Sequence, residues 1–285
     1  MFKLAAPAKI NLTLEVLGKR PDGYHEIKSI VQAIDLADEL DFSPAEGLEI
    51  SAGLPGWDGG KSLVSKAAKL LRERCGGSGG ARVRVTKRIP LMSGLGGDSS
   101  DGAAALTGFN RLWGLGLSTP ELMEMSAALG SDVPFFFSGG TALIEGRGEV
   151  VTPLRAFPPG WVVLLLPPVA AGNGKTARLY GSLKKEDFSD GERTEKFAEA
   201  LLVGGKIPPD LFGNAFERTA SALWPEIEEY RWRFLEAGAR RVDLSGAGPA
   251  LFSLHQNQVE AEGIFANLKK SRLECYLART IGHLD

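Results

Sequence analysis

The first clear pattern along the chain is an alternation of apolar and polar residues over positions 9–16. Ile10, Leu12, Leu14 and Val16 fall on one face of an extended chain, and the polar residues between them fall on the other. A period of two predicts a β-strand. It also places Lys9 and Asn11 on the same side, and a solvated face is the default interpretation for such polar positions. Residues 18–25 (GKRPDGYH) then read as a turn, by default including Tyr24 and His25.

A strand, a glycine-rich loop and a helix follow one another in the next part. Residues 62–74 have the spacing of an amphipathic helix that ends at 76–80, and residues 82–86 alternate as a strand. Apolar residues return at helical spacing from Asp101 onward. The loop between strand and helix is PLMSGLGGDSSD (90–101). Another helix is predicted from Thr119, as N-cap before Pro120, to Gly130, and a hairpin over 141–154.

The remaining pattern predicts a second domain. Residues 155–160 (RAFPPG) form a plausible boundary, so we expect domains at 1–155 and 156–285. Beyond it we expect a strand at 161–166, helices at 193–203 and 214–236, strands at 240–244 and 250–254, a helix at 257–270 and a strand at 274–279. That order is typical of a ferredoxin-like split βαβ domain, which makes the fold class α+β.

Composition and charge exclude several classes of partner. The 285 residues carry 33 Lys and Arg against 35 Asp and Glu, for a net charge of −2. This balance favours neither nucleic acid nor an anionic membrane as the partner. Basic residues cluster only locally, as in Lys87-Arg88 beside the glycine-rich loop, and such a cluster suits a small-molecule substrate that is anionic better than a polymer. No apolar run approaches the ~20 residues that span a bilayer, and the start has no signal-peptide pattern. We therefore expect a cytoplasmic protein.

The glycine-rich loop is the first candidate site. Glycines at 94, 96 and 97 let a ligand approach the backbone, and the helix that follows adds its N-terminal N–H groups, so the segment suits a phosphate. Taken alone, a tight turn remains an equal alternative. A dinucleotide fingerprint would need glycine where Ser99 stands, and a Walker A loop would need a lysine after Gly97.

Two further positions have competing interpretations. Residues 169–176 (VAAGNGKT) resemble a P-loop ending at Lys175, but Val169 replaces its first glycine and Pro167-Pro168 precede it, which disfavours that assignment. The local pattern around Asp132, in GSDVPFFF, favours an N-cap of a short helix over a catalytic carboxylate.

Five separated segments together resemble one family. They are PAKINL (7–12), DGYHEI (22–27), PLMSGLGGDSSDGAAAL (90–106), GSDVPFF (130–136) and LSGAGPALF (244–252). The chain resembles the GHMP kinases, which include galactokinase, homoserine kinase, mevalonate kinase and phosphomevalonate kinase. The pair PAKINL and DGYHEI is similar to the branch that acts on 4-diphosphocytidyl-2-C-methyl-D-erythritol in the non-mevalonate isoprenoid pathway.

This resemblance implies a fold, a reaction and site residues. The implied fold has an N-terminal domain like the second domain of ribosomal protein S5 and a ferredoxin-like C-terminal domain, with the active site between them. The implied donor is ATP with Mg²⁺, and the implied acceptor is the erythritol 2-hydroxyl. Lys9 and Asp132 match the catalytic pair. The implied substrate contacts are Asn11, Tyr24, His25, Thr176 and Tyr180. The implied ATP loop is Leu91, Met92, Ser93, Gly94, Leu95, Gly96, Gly97, Asp98, Ser99, Ser100 and Asp101.

The chain also departs from the family pattern. Met92 and Ser93 stand where glycine or alanine is usual, and Asp98 stands where glycine is usual. Ser62 replaces an asparagine expected near the adenine. A carboxylate at 98 would repel ATP unless it turns outward or joins the Mg²⁺ shell. Three alternatives therefore remain: another GHMP kinase acting on mevalonate or homoserine, a catalytically inactive nucleotide-binding module, and a P-loop NTPase that uses Lys175.

Overall fold

The structure is a computed structural model that describes residues 1–54, 57–76, 79–169, 172, 174–204 and 206–283. The chain forms two compact units, and each is described by itself. The first unit comprises Met1–Ala8, Leu36–Leu91 and Gly96–Ser138. The second comprises Lys9–Asp35, Met92–Leu95 and Gly139–Asp285. The glycine-rich loop therefore contributes residues 92–95 to the second unit and residues 96–101 to the first.

The first half of the chain alternates strands and helices. Its elements are β1 (Phe2–Asn11), β2 (Thr13–Lys19), β3 (His25–Ser43), β4 (Leu48–Ala52), α1 (Leu63–Cys75), β5 (Ala81–Thr86), α2 (Gly97–Trp113), α3 (Thr119–Ser126), α4 (Phe135–Ser138), β6 (Thr141–Gly146) and β7 (Val150–Pro153). The predicted strand over 9–16 is interrupted at Leu12, so two strands replace it. The hairpin predicted over 141–154 is confirmed, with β6 and β7 antiparallel.

The first unit is built on a β-α-β crossover. β4 and β5 pair in parallel, as the intervening helix α1 allows, and β5 pairs antiparallel with the last residues of β3. The alternating sequence of β5 buries Ala81, Val83 and Val85 and exposes the residues between them. Helix α2 packs on this core, where the rings of Phe42 and Phe109 meet edge to face at 5.5 Å.

Three boundaries in the first half differ from the sequence predictions. Helix α2 begins at Gly97, four residues before the expected Asp101, because Gly96 supplies the left-handed backbone that turns the chain into the helix. Helix α3 is capped by Ser118 and not by Thr119, since Glu121 completes a capping box with Ser118. It ends at Ser126, and a turn occupies the positions up to Gly130.

The second half contains the elements β8 (Trp161–Leu165), α5 (Lys175–Ser182), α6 (Glu192–Val203), β9 (Gly213–Asn214), α7 (Glu217–Leu223), α8 (Glu226–Glu236), β10 (Asp243–Leu244), β11 (Leu251–His255), α9 (Gln258–Lys270) and β12 (Cys275–Arg279). The single helix predicted over 214–236 is two helices, because Pro225 breaks it after Trp224. Helix α5 was not predicted.

A ferredoxin-like sheet organises this half. Its strand order is β10-β11-β8-β12, and β8 pairs antiparallel with both β11 and β12. When the four strands are numbered in the order in which the chain forms them, the sheet order is 2-3-1-4. Helix α9 packs against this sheet, so the prediction of a ferredoxin-like domain is confirmed. A second sheet of the same unit pairs the first part of β3 with β2 and β6, and β2 with β9.

Candidate active site

The carbonyl groups of residues 92–95 all accept hydrogen bonds from other parts of the second unit. The pairs are Lys175 Nζ to Met92 O (2.7 Å), Ala250 N to Ser93 O (2.9 Å), Ser245 Oγ to Gly94 O (3.2 Å) and Lys9 N to Leu95 O (2.9 Å). In a trans peptide the N–H of the next residue points opposite to the carbonyl. Each N–H that follows one of these carbonyls therefore points away from the group that donates to that carbonyl, and one of them, the Leu95 N–H, donates to the buried Ser93 Oγ at 3.4 Å. Such a row of amides is suited to an anion.

Gly94 allows this arrangement because no side chain fits there. Its φ is +89°, a backbone region that L side chains rarely adopt, and a Cβ would overlap the Ser245 carbonyl oxygen. The same Cβ would lie 2.9 Å from both the nitrogen and the oxygen of Gly248. Two glycine-containing loops, 92–95 and 245–249, are thus in backbone contact.

In the first unit, the second half of the glycine-rich loop forms the N-terminus of α2. The N-cap is Gly96, so no side chain occupies the cap position. The first N–H groups of a helix have no intrahelical partner, and the helix dipole adds partial positive charge there. Ser99 is half-buried at this end, while Ser100 and Asp101, in the same first turns of the helix, are buried.

Asp98 is paired with a buried lysine of the same unit. Its side chain is 62% exposed, and one oxygen lies 3.5 Å from Lys87 Nζ. Lys87 is itself buried between Asp38 (2.6 Å) and Asp101 (2.7 Å). The carboxylate that departs from the family pattern is therefore partly neutralised by a cation, which reduces its repulsion of a phosphate.

The buried members of this cluster have shifted pKa values. Burial raises the pKa of Asp101 to about 7, against the lowering effect of Lys87, and the charges of Asp38 and Asp98 raise it further. Burial also lowers the pKa of Lys87, but Asp101 and Asp38 outweigh it, so the net pKa lies above its usual range. Lys87 is thus charged at neutral pH and partly offsets the negative charge of the three carboxylates around it.

Lys9 is buried in the second unit. Only 6% of the residue is exposed, and its Nζ donates to Asn11 Oδ1 at 2.6 Å. Asn11 Nδ2 in turn donates to Ser29 Oγ at 2.9 Å. The prediction that both residues project from one side is confirmed. The default interpretation of that side as a solvated face is wrong, because Thr13 and Glu15 on it are buried as well.

The SGAGP loop (245–249) completes this arrangement, although the sequence analysis assigned it no site residue. A Cβ on Gly246 would lie 3.0 Å from Lys9 Nζ and 3.3 Å from Asn11 Oδ1. Asn214 holds the loop in place, with its Nδ2 donating to the carbonyls of Leu244 (2.9 Å) and Gly246 (2.8 Å). The proximity of Asn214 depends on the tertiary fold, so no sequence motif indicated it.

Aromatic side chains of the second unit surround His25. Its ring stacks on Tyr180 with 4.7 Å between centroids, and Tyr180 meets Phe216 edge to face. Burial, followed by the charge of Lys19, lowers the pKa of His25, so its imidazole is neutral at pH 7. Tyr24 lies on the preceding turn, half exposed, with the Arg147 guanidinium over its ring at 4.7 Å. The structure thus brings His25 and Tyr180 together.

Helix α5 presents Thr176 and Tyr180, four residues apart on one face, while Lys175 and Leu179 are buried. Lys175 Nζ donates to the carbonyls of Met92 and Gly248. These contacts do not match a Walker lysine, which reaches phosphate oxygens. Positions 170, 171 and 173 of the P-loop-like segment lie outside the described residues.

Two other predicted positions belong to the first unit. Asp132 is exposed in the turn that precedes α4, which begins three residues later at Phe135. Its roles as N-cap or as catalytic carboxylate stay predictions. Ser62 caps α1, accepting from Ser65 N at 3.2 Å.

Leu91 and Met92 are exposed at the start of the glycine-rich loop.

The sequence matches two family profiles, described as "GHMP kinases N terminal domain" at residues 62–140 and "GHMP kinases C terminal" at residues 197–274. A curated protein of Dehalococcoides mccartyi named 4-diphosphocytidyl-2-C-methyl-D-erythritol kinase is 50% identical over the full length of both chains. A protein of the same name from Pelotomaculum thermopropionicum is 40% identical, with 96% of each chain covered.

Solved structures give the same result. A crystal structure of 4-(cytidine 5'-diphospho)-2C-methyl-D-erythritol kinase matches with a TM-score of 0.83 and 34% identity, covering 99% of this chain and 100% of the other. A homoserine kinase from Cytophaga hutchinsonii matches with a TM-score of 0.70 at 20% identity, covering 99% and 94%, which indicates a shared fold. Within the described residues, no helix has the length and apolar character to cross a membrane. The chain belongs to the GHMP kinase family.

Proposed function

We propose that this protein is an ATP-dependent kinase that phosphorylates the 2-hydroxyl of 4-diphosphocytidyl-2-C-methyl-D-erythritol in isoprenoid precursor biosynthesis. The observation that supports ATP as the donor is the row of four loop carbonyls that accept hydrogen bonds from protein donors, an arrangement that turns the loop amides away from those donors and suits a phosphate. The relatives that are 50% and 40% identical over nearly their full length support the acceptor.

The proposed chemistry is a direct transfer of the γ-phosphoryl group. The acceptor oxygen forms a bond to the γ-phosphorus while the bond to the β–γ bridging oxygen breaks, and ADP leaves. Asp132 takes the hydroxyl proton, as an exposed carboxylate is able to do. Lys9 stabilises negative charge on the reacting oxygens. These two roles rest on the motif match to the family.

The proposed acceptor site uses the residues of the second unit that the motifs indicated. Asn11 is oriented by Lys9 and Ser29, and it has a fixed side-chain direction for a substrate hydroxyl. The neutral imidazole of His25 has one donor and one acceptor nitrogen, a combination that suits a cytosine edge. Tyr24 and Tyr180 supply aromatic faces for stacking, and Thr176 is an exposed hydroxyl one turn before Tyr180.

Mg²⁺ would accompany ATP in this proposal. In kinases it is held mainly by phosphate oxygens and by one or two oxygen ligands of the protein. Ser99, half-buried in the first turn of α2, offers a hydroxyl of this kind. The bound ion would neutralise charge on the phosphates.

Three further assignments remain predictions. We propose domains at 1–155 and 156–285, although the compact units have other bounds and the profiles match residues 62–140 and 197–274. The cytoplasmic location stays a prediction. Mevalonate or homoserine kinase activity is less favoured, because a matching homoserine kinase structure is 20% identical to this chain and a matching mevalonate kinase structure 16%, against 50% for the curated diphosphocytidyl-methylerythritol kinase.

The test is a release assay for ADP with purified protein, Mg-ATP and three acceptors: diphosphocytidyl-methylerythritol, mevalonate and homoserine. We expect turnover with the cytidyl compound alone, and loss of at least about a hundredfold in kcat for Asp132→Asn. ATP binding without ADP release on any acceptor would favour the inactive nucleotide-binding module. Turnover with mevalonate or homoserine would assign another GHMP activity.

A further inference from the structure

Lys175 is a buried lysine that the proposed chemistry does not use. Only 7% of the residue is exposed, and its ammonium donates to Met92 O at 2.7 Å and to Gly248 O. These two acceptors belong to different loops, 92–95 and 245–249. One side chain of α5 therefore connects the glycine-rich loop to the SGAGP loop.

The residue it holds has an unusual backbone conformation. Met92 has φ +53°, a left-handed conformation that a non-glycine residue adopts at a cost of roughly 1 kcal/mol. Its side chain is 56% exposed, so packing of that side chain does little to hold the conformation in place. The hydrogen bond from Lys175 Nζ to the Met92 carbonyl does restrain the backbone at this residue.

The direction of this carbonyl matters for the nucleotide. In the peptide between Met92 and Ser93, the N–H points opposite to the carbonyl that Lys175 holds. Rotation of that peptide would turn its carbonyl toward the phosphates and its N–H away from them. The other three carbonyls of the loop accept from backbone or hydroxyl donors, whereas the donor to Met92 O is a side-chain cation.

The charge of Lys175 fits this role. Burial, followed by the positive charge of Lys9, lowers the pKa of Lys175 to about 8, so the group is mostly charged at neutral pH. A charged donor makes a stronger hydrogen bond to a carbonyl than a neutral one does. Its ammonium is directed at backbone oxygens, whereas a Walker lysine reaches phosphate oxygens.

We propose that Lys175 is a positioning residue for ATP: by holding the carbonyls of Met92 and Gly248, it fixes the direction of the loop amides that receive the phosphates. This inference rests on the proposed ATP-binding role of the glycine-rich loop. It assigns Lys175 to binding of the nucleotide and not to the reacting phosphoryl group or to the acceptor.

The test compares Lys175→Met, Lys175→Arg and the control Lys206→Met, which removes an exposed lysine of the same unit. ATP affinity is measured by calorimetry without acceptor, and KM for each substrate and kcat are measured in the ADP assay. For Lys175→Met we expect the dissociation constant and KM of ATP to rise about tenfold, since a charged hydrogen bond is lost. We expect kcat at saturating ATP and the KM of the acceptor to change less than about threefold. Lys175→Arg keeps donors and should recover most of the ATP affinity.

Three results would overturn the proposal. The first is ATP affinity in Lys175→Met equal to that of Lys206→Met, with or without a loss of thermal stability. The second is a collapse of kcat with unchanged ATP affinity, which would place Lys175 at the reacting group. The third is wild-type protein that binds no ATP. If the wild-type protein binds ATP but releases no ADP with any acceptor, the proposed function is refuted. The role of Lys175 is then still tested, because calorimetry compares ATP affinities without an acceptor. If Lys175→Met does not fold, Lys175→Gln replaces it, with a smaller change in the same direction expected.

Discussion

Gly246→Ala displaces Lys9 without altering its charge. The new Cβ would lie 3.0 Å from Lys9 Nζ, 3.1 Å from Gly94 O and 3.3 Å from Asn11 Oδ1. Contacts this close require the neighbours to move by a few tenths of an ångström. Lys9 Nζ is the end of a flexible side chain, whereas Gly94 O is backbone held by Ser245, so Lys9 is expected to move most.

The substitution has two expected effects, a loss of thermal stability and a loss of rate. The φ of Gly246 is +54°, and alanine adopts this region at a cost of about 1–2 kcal/mol, which lowers Tm by roughly 2–8 °C. A misplacement of about 1 Å at a reacting group costs about a hundredfold in rate, so a few tenths of an ångström should lower kcat about three- to tenfold.

The assay measures kcat by ADP release well below Tm, with Gly114→Ala as the matched control. Gly114 has φ +63°, and a Cβ added there would meet no described atom within 4 Å, so alanine carries the same backbone strain without touching Lys9. We expect similar losses of Tm in both variants and a lower kcat in Gly246→Ala alone. Equal kcat values would refute the reasoning that the position of Lys9 governs the rate.

Three other predictions concern the loop, its support and the acceptor. Asp98→Asn should lower the KM of ATP about twofold at low ionic strength, because a negative charge near the phosphates is removed, and the effect should be smaller at high salt. A higher KM of ATP in this variant would contradict the prediction and would mean that Asp98 contributes to Mg-ATP binding. The folded-state pKa of Asp101 is raised to about 7 from 3.8, so its stabilising contribution is present below about pH 4 and is lost as the pH rises to 7. The free energy of unfolding of the wild type, relative to Asp101→Asn, should therefore fall between pH 5 and 8 by up to about 3 kcal/mol in urea titrations, and a constant difference would contradict this. Tyr180→Leu should raise the KM of the acceptor about fivefold and leave that of ATP unchanged, and an equal effect in Tyr230→Leu on α8 would count against a stacking role.

The ferredoxin-like half was predictable because its strands are short apolar runs separated by clear turn signals. The strand at 161–166 and the helix at 257–270 have bounds close to those of β8 and α9. The long strand β3 was not predicted, because its last part carries Asp35, Asp38 and other charged residues that obscure the alternation. Tertiary contacts determine such a strand more than its local pattern does.

Within the candidate site, motifs identified the residues but not their surroundings. The burial of Lys9 could not be read from an alternating strand, since either face of a strand is able to face the core. The pairing of Asp98 with Lys87 joins residues 11 positions apart whose contact depends on how α2 meets β5. Lys175 was classed by its resemblance to a P-loop, and only the fold showed that its ammonium is directed at carbonyl oxygens.

The most direct test of the central claim is ADP release by the purified wild-type protein with Mg-ATP and diphosphocytidyl-methylerythritol, mevalonate or homoserine. The account predicts release with the cytidyl acceptor alone, with one phosphate appearing on its 2-hydroxyl. ATP binding with no release on any of the three acceptors would contradict it.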